Sequence, residues 1–204
     1  MKQKVCILDY GSGNVKSVFN IFSTLCRDVI ISNQVCDIIA ATHIVLPGVG
    51  AFEVAMEKIK HKIPLDVLQQ EVFQHKKPFL GICVGMQVLA DKGQEFGEHD
   101  GLGWIPGIVR KLESGKLPLP HVGWNDVGII RPNPLFNGLD KNCDFYFVHS
   151  YVFQEKDEAN IIAKTDYEEK FNSAVFKDNI YGVQFHPEKS QVSGRLLLKN
   201  FLNL

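Results

Sequence analysis

The sequence contains no long apolar run, no excess of charge of either sign and no closely paired cysteines. No stretch approaches the ~18 consecutive apolar residues of a membrane-spanning helix, so we expect no membrane association. Lys plus Arg total 22 and Asp plus Glu total 23, and a net charge of −1 offers no basic surface for a nucleic acid. Asp9 comes before any signal-peptide apolar segment could form, which favours a cytoplasmic protein.

Motifs for metals, disulfides and dinucleotides are also missing. The five cysteines form no CxxC pair, and their odd number does not suit a complete disulfide framework. The histidines have no metal-ligand spacing with one another or with cysteine, so we predict no metal. Gly11 and Gly13 follow a predicted strand, but Lys16 stands where a dinucleotide-binding loop has its third glycine, and we predict no cofactor there.

The composition that remains is that of an ordinary globular protein. The 204 residues are 45% hydrophobic and 22% charged, without a repeat or a linker long enough to separate domains. We therefore predict a single domain over residues 1–204.

Short β-rich runs alternate with helical patterns in the first half of the chain. We predict strands at residues 4–9, 43–46 and 78–82, and helices at 14–26, from Ala51 with a break at Pro64, and from Val84. One face of the first helix carries Val15, Val18, Phe19, Phe22 and Leu25. This alternation indicates a parallel sheet covered by helices on both faces.

The second half changes to a pattern dominated by strands. We predict strands at 106–112, 120–130, 143–153, 159–165, 171–177 and 180–185, a hairpin turn at Asp178-Asn179, and a last helix capped by Ser193. The predicted fold class is α/β: a central, mainly parallel mixed sheet flanked by helices, with additional antiparallel strands in the second half.

Gly81-Ile82-Cys83-Val84-Gly85 lies between a predicted strand and a predicted helix. The G-x-C-x-G pattern is the thiol form of a nucleophile elbow, a sharp turn that lifts the reactive side chain above the sheet. The helix N-terminus also favours a thiolate at Cys83. Cys83 is the candidate nucleophile, and a buried structural cysteine is the alternative.

His186-Pro187-Glu188 provides a candidate base and acid for that thiol. Pro187 pushes His186 toward extended backbone, where side chains two residues apart point the same way. His186 would accept the thiol proton, and Glu188 would orient the imidazole and stabilise its charged form. A solvated turn is the alternative for this tripeptide alone.

A turn after the second predicted parallel strand, Pro47-Gly48-Val49-Gly50, could direct backbone N–H groups at an anion. Acyl transfer needs such donors where the oxyanion forms, together with the N–H of Val84 after the nucleophile. The alternative is a tight strand-to-helix connection.

Six motifs in this order resemble the class I, triad-type glutamine amidotransferases, and among them the glutaminase subunits of imidazole glycerol phosphate synthase. They are DYGSGN (9–14), PGVGAF (47–52), GICVGMQ (81–87), PHVGWN (120–125), YFVHSY (146–151) and GVQFHPEKS (182–190). The resemblance extends from about residue 4 to residue 203.

The resemblance implies specific roles for residues of these motifs. Cys83, His186 and Glu188 take the triad positions, and the backbone at Gly48, Val49, Gly50 and Val84 takes the oxyanion position, which can require a peptide flip. The substrate-binding positions are Gln87, Glu95, His149, Ser150 and Tyr151. The positions facing a synthase partner are Asn14, Trp124, Asn125 and Lys189.

The family's reaction hydrolyses L-glutamine to L-glutamate and ammonia through a glutamyl thioester and needs no cofactor. A chain of this length has no room for an ammonia-accepting domain, so the resemblance implies a separate synthase (cyclase) subunit with a (β/α)8 barrel and an ammonia channel. The expected product pathway is imidazole glycerol phosphate formation in histidine biosynthesis.

Three departures from the family pattern leave a second pathway open. Val84 replaces the usual leucine, the substrate segment reads Gly93-Gln94-Glu95, and Gln191 replaces a serine. These features resemble paralogous glutaminase subunits that supply ammonia for modifying a surface sugar. The same scaffold would also suit a redox-sensing or chaperone-like cysteine protein, or a cysteine peptidase-like hydrolase.

Overall fold

The computed structural model describes residues 3–204, and residues 1 and 2 of the predicted domain lie outside this part. Thirteen strands in the described part form one hydrogen-bonded sheet. They are β1 (Lys4–Leu8), β2 (Asp28–Ser32), β3 (His43–Gly48), β4 (Phe79–Cys83), β5 (Lys92–Gly93), β6 (His99–Asp100), β7 (Gly107–Lys111), β8 (His121–Ile129), β9 (Asn142–His149), β10 (Tyr151–Glu155), β11 (Ile161–Tyr167), β12 (Glu169–Lys177) and β13 (Ile180–Val183).

The α-helices are α1 (Val15–Ser23), α2 (Val35–Ala40), α3 (Phe52–Lys62), α4 (Leu65–Gln69), α5 (Val84–Gln87) and α6 (Gln191–Phe201). Helix α4 continues as a π-helical turn over Gln70–Gln74, and 3₁₀ turns cover Pro134–Phe136, Glu158–Asn160 and Pro187–Lys189. The predicted apolar face of α1 is confirmed, because Val18 and Phe22 are buried and the other three residues pack against the core.

The sheet begins with five parallel strands in the order β2-β1-β3-β4-β13. It continues through antiparallel β12, β10 and β7, and β11, β8 and β9 branch from β12. The predicted mixed α/β architecture is therefore confirmed. In such a sheet the carboxyl ends of neighbouring parallel strands meet at one edge, where sites in open α/β folds form.

Burial explains why the parallel strands are continuous apolar runs. All residues of β3, β4 and β13 are buried, because the central parallel strands are covered on both faces. Strand β8 instead alternates, so one face packs inward while Val122 and Trp124 face solvent.

The predicted helix 14–26 ends early, at Ser23, and one predicted strand and one predicted helix cap are wrong. The predicted strand 143–153 is two strands, β9 and β10, which separate at Ser150 and pair with different partners. Helix α6 begins at Gln191, so Ser193 lies inside its first turn and does not cap it. Ser190 precedes the helix, but its hydroxyl is used elsewhere, donating to the His186 carbonyl and accepting from the Tyr146 N–H.

Strand β2 and helix α2 are absent from the sequence-based prediction. Every residue of β2 is only partly buried, because this strand lies at the edge of the sheet. The apolar segment of β2 is three residues long and shows no clear alternation of apolar and polar residues. Its sequence therefore lacks the buried-strand signal that identifies β1, β3 and β4.

Candidate active site

Cys83 lies at the sharp turn between β4 and α5. Its backbone has φ 55° and ψ −113°, a conformation that is rare for a residue with a side chain, and only 3% of the residue is exposed. This is the geometry expected of a nucleophile elbow, in which the sulfur is held at the carboxyl edge of the sheet.

The two glycines beside Cys83 are required by close packing. A Cβ on Gly85 would lie 1.8 Å from the Leu46 carbonyl oxygen of the neighbouring strand β3. A Cβ on Gly81 would lie 2.4 Å from the Gly85 carbonyl oxygen. The elbow therefore brings α5 against β3 at a distance that a larger residue would prevent.

His186 and Glu188 form a buried pair behind the sulfur. The imidazole Nδ1 and the carboxylate Oε1 are 2.8 Å apart, and the side chains are 2% and 0% exposed. The predicted extended geometry applies only to His186, whose φ is −102° and ψ is 91°. Glu188 instead lies in the 3₁₀ turn that starts at Pro187, and this turn returns the carboxylate to the imidazole.

Electrostatics favours a charged imidazole at this position. Burial lowers the pKa of His186, but hydrogen bonds to Cys83 and Glu188 and the negative charge of both groups outweigh it and raise the pKa to about 10. With Nδ1 on Glu188, Nε2 is the nitrogen left for Cys83. The arrangement suits a thiolate–imidazolium pair.

A cavity of about 260 Å³ opens in front of Cys83. It is lined by Val49, Gly50, Cys83, Val84, Gln87, Glu95, Pro120, Val148, His149, Ser150, Tyr151, His186 and Lys189. The five predicted substrate-binding residues therefore all line the cavity that contains the sulfur. Pro120 and Val148 were not predicted, because apolar cavity walls carry no distinctive sequence signal.

The predicted oxyanion turn is adjacent to the sulfur, with Gly48 opposite Cys83 in the β3–β4 register. The backbone N–H of Val49, however, donates to the Ser12 hydroxyl at 3.1 Å. This N–H is therefore committed to a protein acceptor. Ser12 was not predicted as a site residue, since a serine in a glycine-rich turn has no specific signature.

Ser12 also connects the oxyanion turn to the triad acid. Its hydroxyl donates to Asn14 Oδ1 at 3.0 Å, and Asn14 Nδ2 donates to Glu188 Oε1 at 3.2 Å. Asn14 was predicted to face a partner, but it is only 6% exposed and its amide contacts the carboxylate. The turn after β1, which carries Ser12 and Asn14, lies beside the turn after β3, because β1 and β3 are neighbours in the sheet.

Glu95 contributes a carboxylate to the lining of the cavity. Its Oε2 accepts the backbone N–H of Phe52 at 2.9 Å, the first residue of α3. This bond fixes the side chain and satisfies an N–H that the helix cannot pair internally. One carboxylate oxygen can then face the cavity.

The three other predicted partner-facing residues are arranged differently. Trp124 is 48% exposed and packs edge to face on Tyr146, whose ring also contacts the Lys189 ammonium, 5.6 Å from its centroid. Lys189 lines the cavity, so this stack leads from the cavity to the surface. Asn125 instead bonds His121 and the Asp166 carbonyl.

His121 and His149 form a chain of hydrogen bonds with defined direction. His149 Nδ1 is 3.0 Å from the Tyr151 carbonyl, which can only accept, so His149 Nε2 must accept from His121 Nδ1 at 3.1 Å. His121 Nε2 then accepts from Asn125 Nδ2 at 3.3 Å. Both rings are neutral, since burial lowers the pKa of His149 to about 3 and that of His121 to about 4.

We expect the free energy of unfolding to decrease as the pH falls from about 6.5 to about 4.5. In this range His121, His149 and the buried His43, whose pKa burial lowers to about 4, are neutral in the folded chain but protonated when unfolded. His186, whose pKa is raised to about 10, stays protonated in the folded chain and loses its proton near pH 6.5 only when unfolded, so between about pH 7 and 5.5 it adds stability as the pH falls; the three neutral imidazoles outweigh this single group. Urea unfolding at about pH 7, 5.5 and 4.5 measures this; a constant value would contradict neutral imidazoles.

Residues 3–204 contain neither a candidate metal-binding cluster nor a candidate membrane-spanning helix. No group of three or more His, Cys, Asp or Glu side chains in that range could hold a metal ion. No helix there is long and apolar enough to cross a bilayer. All five cysteines are unpaired, and Cys36 alone among them is exposed.

Comparison with known proteins agrees with this architecture and site. Two solved structures share the fold. One is a crystal structure of a glutamine amidotransferase, with a TM-score of 0.76 and 17% identity, covering 98% of this chain and 97% of that chain. The other is PurLQS from Thermotoga maritima, with a TM-score of 0.72 and 18% identity, covering 100% of this chain and 99% of that chain. Residues 6–204 match the family described as glutamine amidotransferase class-I. The chain belongs to this family.

Relatives of higher identity narrow the assignment. The chain is 46% identical to imidazole glycerol phosphate synthase subunit HisH 2 of Methanococcus maripaludis, covering 97% of this chain and 98% of the relative. It is 42% identical to HisH 1 of Campylobacter jejuni, with coverage of 98% and 100%, and 43% identical to HisH of Leptospira interrogans, with 97% and 98%. Within the family, the chain belongs with the HisH subunits.

Proposed function

We propose that this chain is a glutaminase subunit that hydrolyses L-glutamine to L-glutamate and ammonia and supplies the ammonia to a cyclase subunit in histidine biosynthesis. Cys83, His186 and Glu188 carry the reaction, and residues 1–204 act as one domain. The observation that carries the proposal is the alignment of Cys83, His186 and Glu188 at a cavity that Glu95 also lines. A cytoplasmic location agrees with this biosynthetic role.

The first half-reaction forms a thioester. The Cys83 thiolate attacks the side-chain carbonyl carbon of glutamine, and the C=O electrons move to oxygen to give a tetrahedral oxyanion. When the C–N bond breaks, His186 donates its proton to the leaving nitrogen and ammonia departs. Glu188 keeps the imidazole oriented and stabilises its charged form before that transfer.

The second half-reaction regenerates the thiolate. Neutral His186 accepts a proton from water, the resulting hydroxide attacks the thioester carbonyl, and the C–S bond breaks to release glutamate and the thiolate. The same base therefore acts in both halves. No further reactant is needed.

The cavity walls suit an amino acid as substrate. The Glu95 carboxylate can pair with the α-ammonium group, because its other oxygen is already held by the Phe52 N–H. Both N–H groups of Gln87 are used inside the protein, so its side-chain carbonyl is available to the substrate. A carboxylate in the same cavity as the sulfur favours glutamine, which carries an α-ammonium group, over a simple amide.

The exposed apolar side chains next to the cavity suit a protein partner. Trp124 and Val122 lie on one face of β8, and Val192, 80% exposed, shares a surface depression with Trp124. A cyclase subunit with a (β/α)8 barrel docking here would cover these side chains and place an ammonia entrance near Lys189. Trp residues are frequent anchors in such interfaces.

We expect the isolated chain to be a poor glutaminase. The Val49 N–H donates to Ser12, and a missing oxyanion donor costs on the order of 3 kcal/mol, or about a hundredfold in rate. Glutamate production by the chain alone should therefore be at least about a hundredfold slower than in the complex with the cyclase subunit. Equal rates would contradict this control by the partner.

The pathway is tested with the same reconstituted pair. A histidine-biosynthetic subunit should form a stable complex with the cyclase and support glutamine-dependent formation of imidazole glycerol phosphate. Failure to bind the cyclase, with co-purification of a sugar-modifying enzyme instead, would favour the paralogous surface-sugar role. Release of amino acids from peptides would indicate a peptidase.

A further inference from the structure

A second polar side chain, Gln184, contacts the sulfur of Cys83. Its Nε2 lies 3.7 Å from Cys83 Sγ, within hydrogen-bond distance of sulfur, and the residue is fully buried. It follows the end of β13, where Val183 pairs with Ile82 of β4, so it stands beside the elbow. His186 comes two residues later and contacts the same sulfur.

The orientation of the Gln184 amide is determined by a chain of neighbours. The Tyr151 carbonyl can only accept, and it lies 3.0 Å from Gln87, which must therefore present its Nε2. The same Nε2 lies 3.0 Å from Gln184, which must present its Oε1. The remaining group of Gln184, its NH₂, is then the one that faces Cys83.

The other contacts of the sulfur make this donor important. The thiol can donate to the Val148 carbonyl at 3.8 Å, but that oxygen repels a thiolate. Gln184 and His186 are the side-chain donors that the described structure brings to the sulfur. A hydrogen bond to the charged form of a group favours that form, and bonds to ions are stronger than bonds between neutral groups.

We propose that Gln184 is a thiolate-stabilising residue: its amide N–H, oriented through Gln87 by the Tyr151 carbonyl, holds the ionised sulfur of Cys83 ready for attack. Gln87 then has two tasks, since it positions Gln184 and presents its own carbonyl to the cavity. The inference rests on the proposed role of Cys83 as nucleophile.

The test is the rate of Cys83 alkylation by iodoacetamide as a function of pH, followed by mass spectrometry of the Cys83 peptide in the full chain. Gln184→Met keeps an unbranched side chain of similar length without the donor. We expect the midpoint of the pH–rate profile to move up by about one unit, and the rate at pH values below both midpoints to fall about tenfold. The exposed Cys36 provides the reference rate in every sample.

Two further variants separate this role from a structural one. Ser173 is a neighbour of Gln184, because its backbone carbonyl accepts the Gln184 backbone N–H. Its hydroxyl is fully buried and has no hydrogen-bond partner in the described part of the chain, and Ser173→Ala removes this hydroxyl. It should leave the alkylation profile unchanged. Gln87→Met should move the midpoint in the same direction as Gln184→Met, although Gln87 has no hydrogen bond to the sulfur, and the double variant should add little.

An unchanged profile in a folded Gln184→Met chain would overturn the proposal. If that variant does not fold, an unchanged profile in Gln87→Met would overturn it equally. Alkylation needs no glutamine turnover, so the result is independent of the proposed function. Loss of glutaminase activity without a shifted profile would indicate a role in packing alone.

Discussion

Replacing Cys83 with alanine should abolish glutamate formation while the chain still folds and binds its partner. Alanine retains the Cβ and removes only the sulfur, which would form the thioester and has no substitute among the residues lining the cavity. We expect a decrease of at least about 10⁴-fold in glutamine turnover, measured as glutamate release in the reconstituted complex.

Cys143→Ala is the matched control for this experiment. Cys143 is also buried and unpaired, but it lies on β9 and does not line the cavity. It should retain turnover close to that of the unmodified chain. Substantial glutamate release by Cys83→Ala, with the control behaving normally, would rule out thioester chemistry at this sulfur.

The second large effect is expected at the base. His186→Ala removes the group that would move protons in both half-reactions, and we expect a decrease of about 10³- to 10⁵-fold in kcat/KM. Glu188→Ala should cost less, because the imidazole retains its place beside Cys83 while losing the carboxylate that orients it. Because the triad acts as a unit, the double variant should be little slower than His186→Ala.

His61→Ala controls for the loss of a histidine. His61 lies at the exposed end of α3, away from the cavity, and its replacement should leave turnover unchanged. A larger effect at Glu188 than at His186 would contradict the roles assigned here and would indicate that the carboxylate acts directly on the substrate.

The parts of the fold that the sequence predicts well are those with strong local patterns. Strands β1, β3 and β4 are short apolar runs followed by turns, because each is buried on both faces of the sheet. The hairpin turn at Asp178 is confirmed, and this residue takes the positive φ of 57° that such turns require.

Sequence patterns gave wrong element boundaries where the boundary depends on contacts between residues distant in sequence. Residues 142–155 are uniformly strand-like, and only pairing with separate neighbours divides them into β9 and β10. Ser193 is a good capping residue by type, yet the helix starts earlier, since the Gly194 N–H already donates to the Ser190 carbonyl; Gly194 also lies against the Pro187 carbonyl, where a Cβ would be 1.9 Å away.

The elbow cysteine and the His-Pro-Glu segment can be recognised along the chain, because each depends on residues within five positions of one another. The Val49–Ser12 bond spans 37 residues, the Gln184–Cys83 contact spans 101, and the burial of Asn14 against Glu188 spans 174. These contacts exist because parallel strands end side by side, and that adjacency belongs to the folded sheet rather than to any local pattern. The tertiary structure therefore determines that the Gln184 amide contacts the sulfur and that the Val49 N–H donates to Ser12 instead of pointing at the oxyanion position.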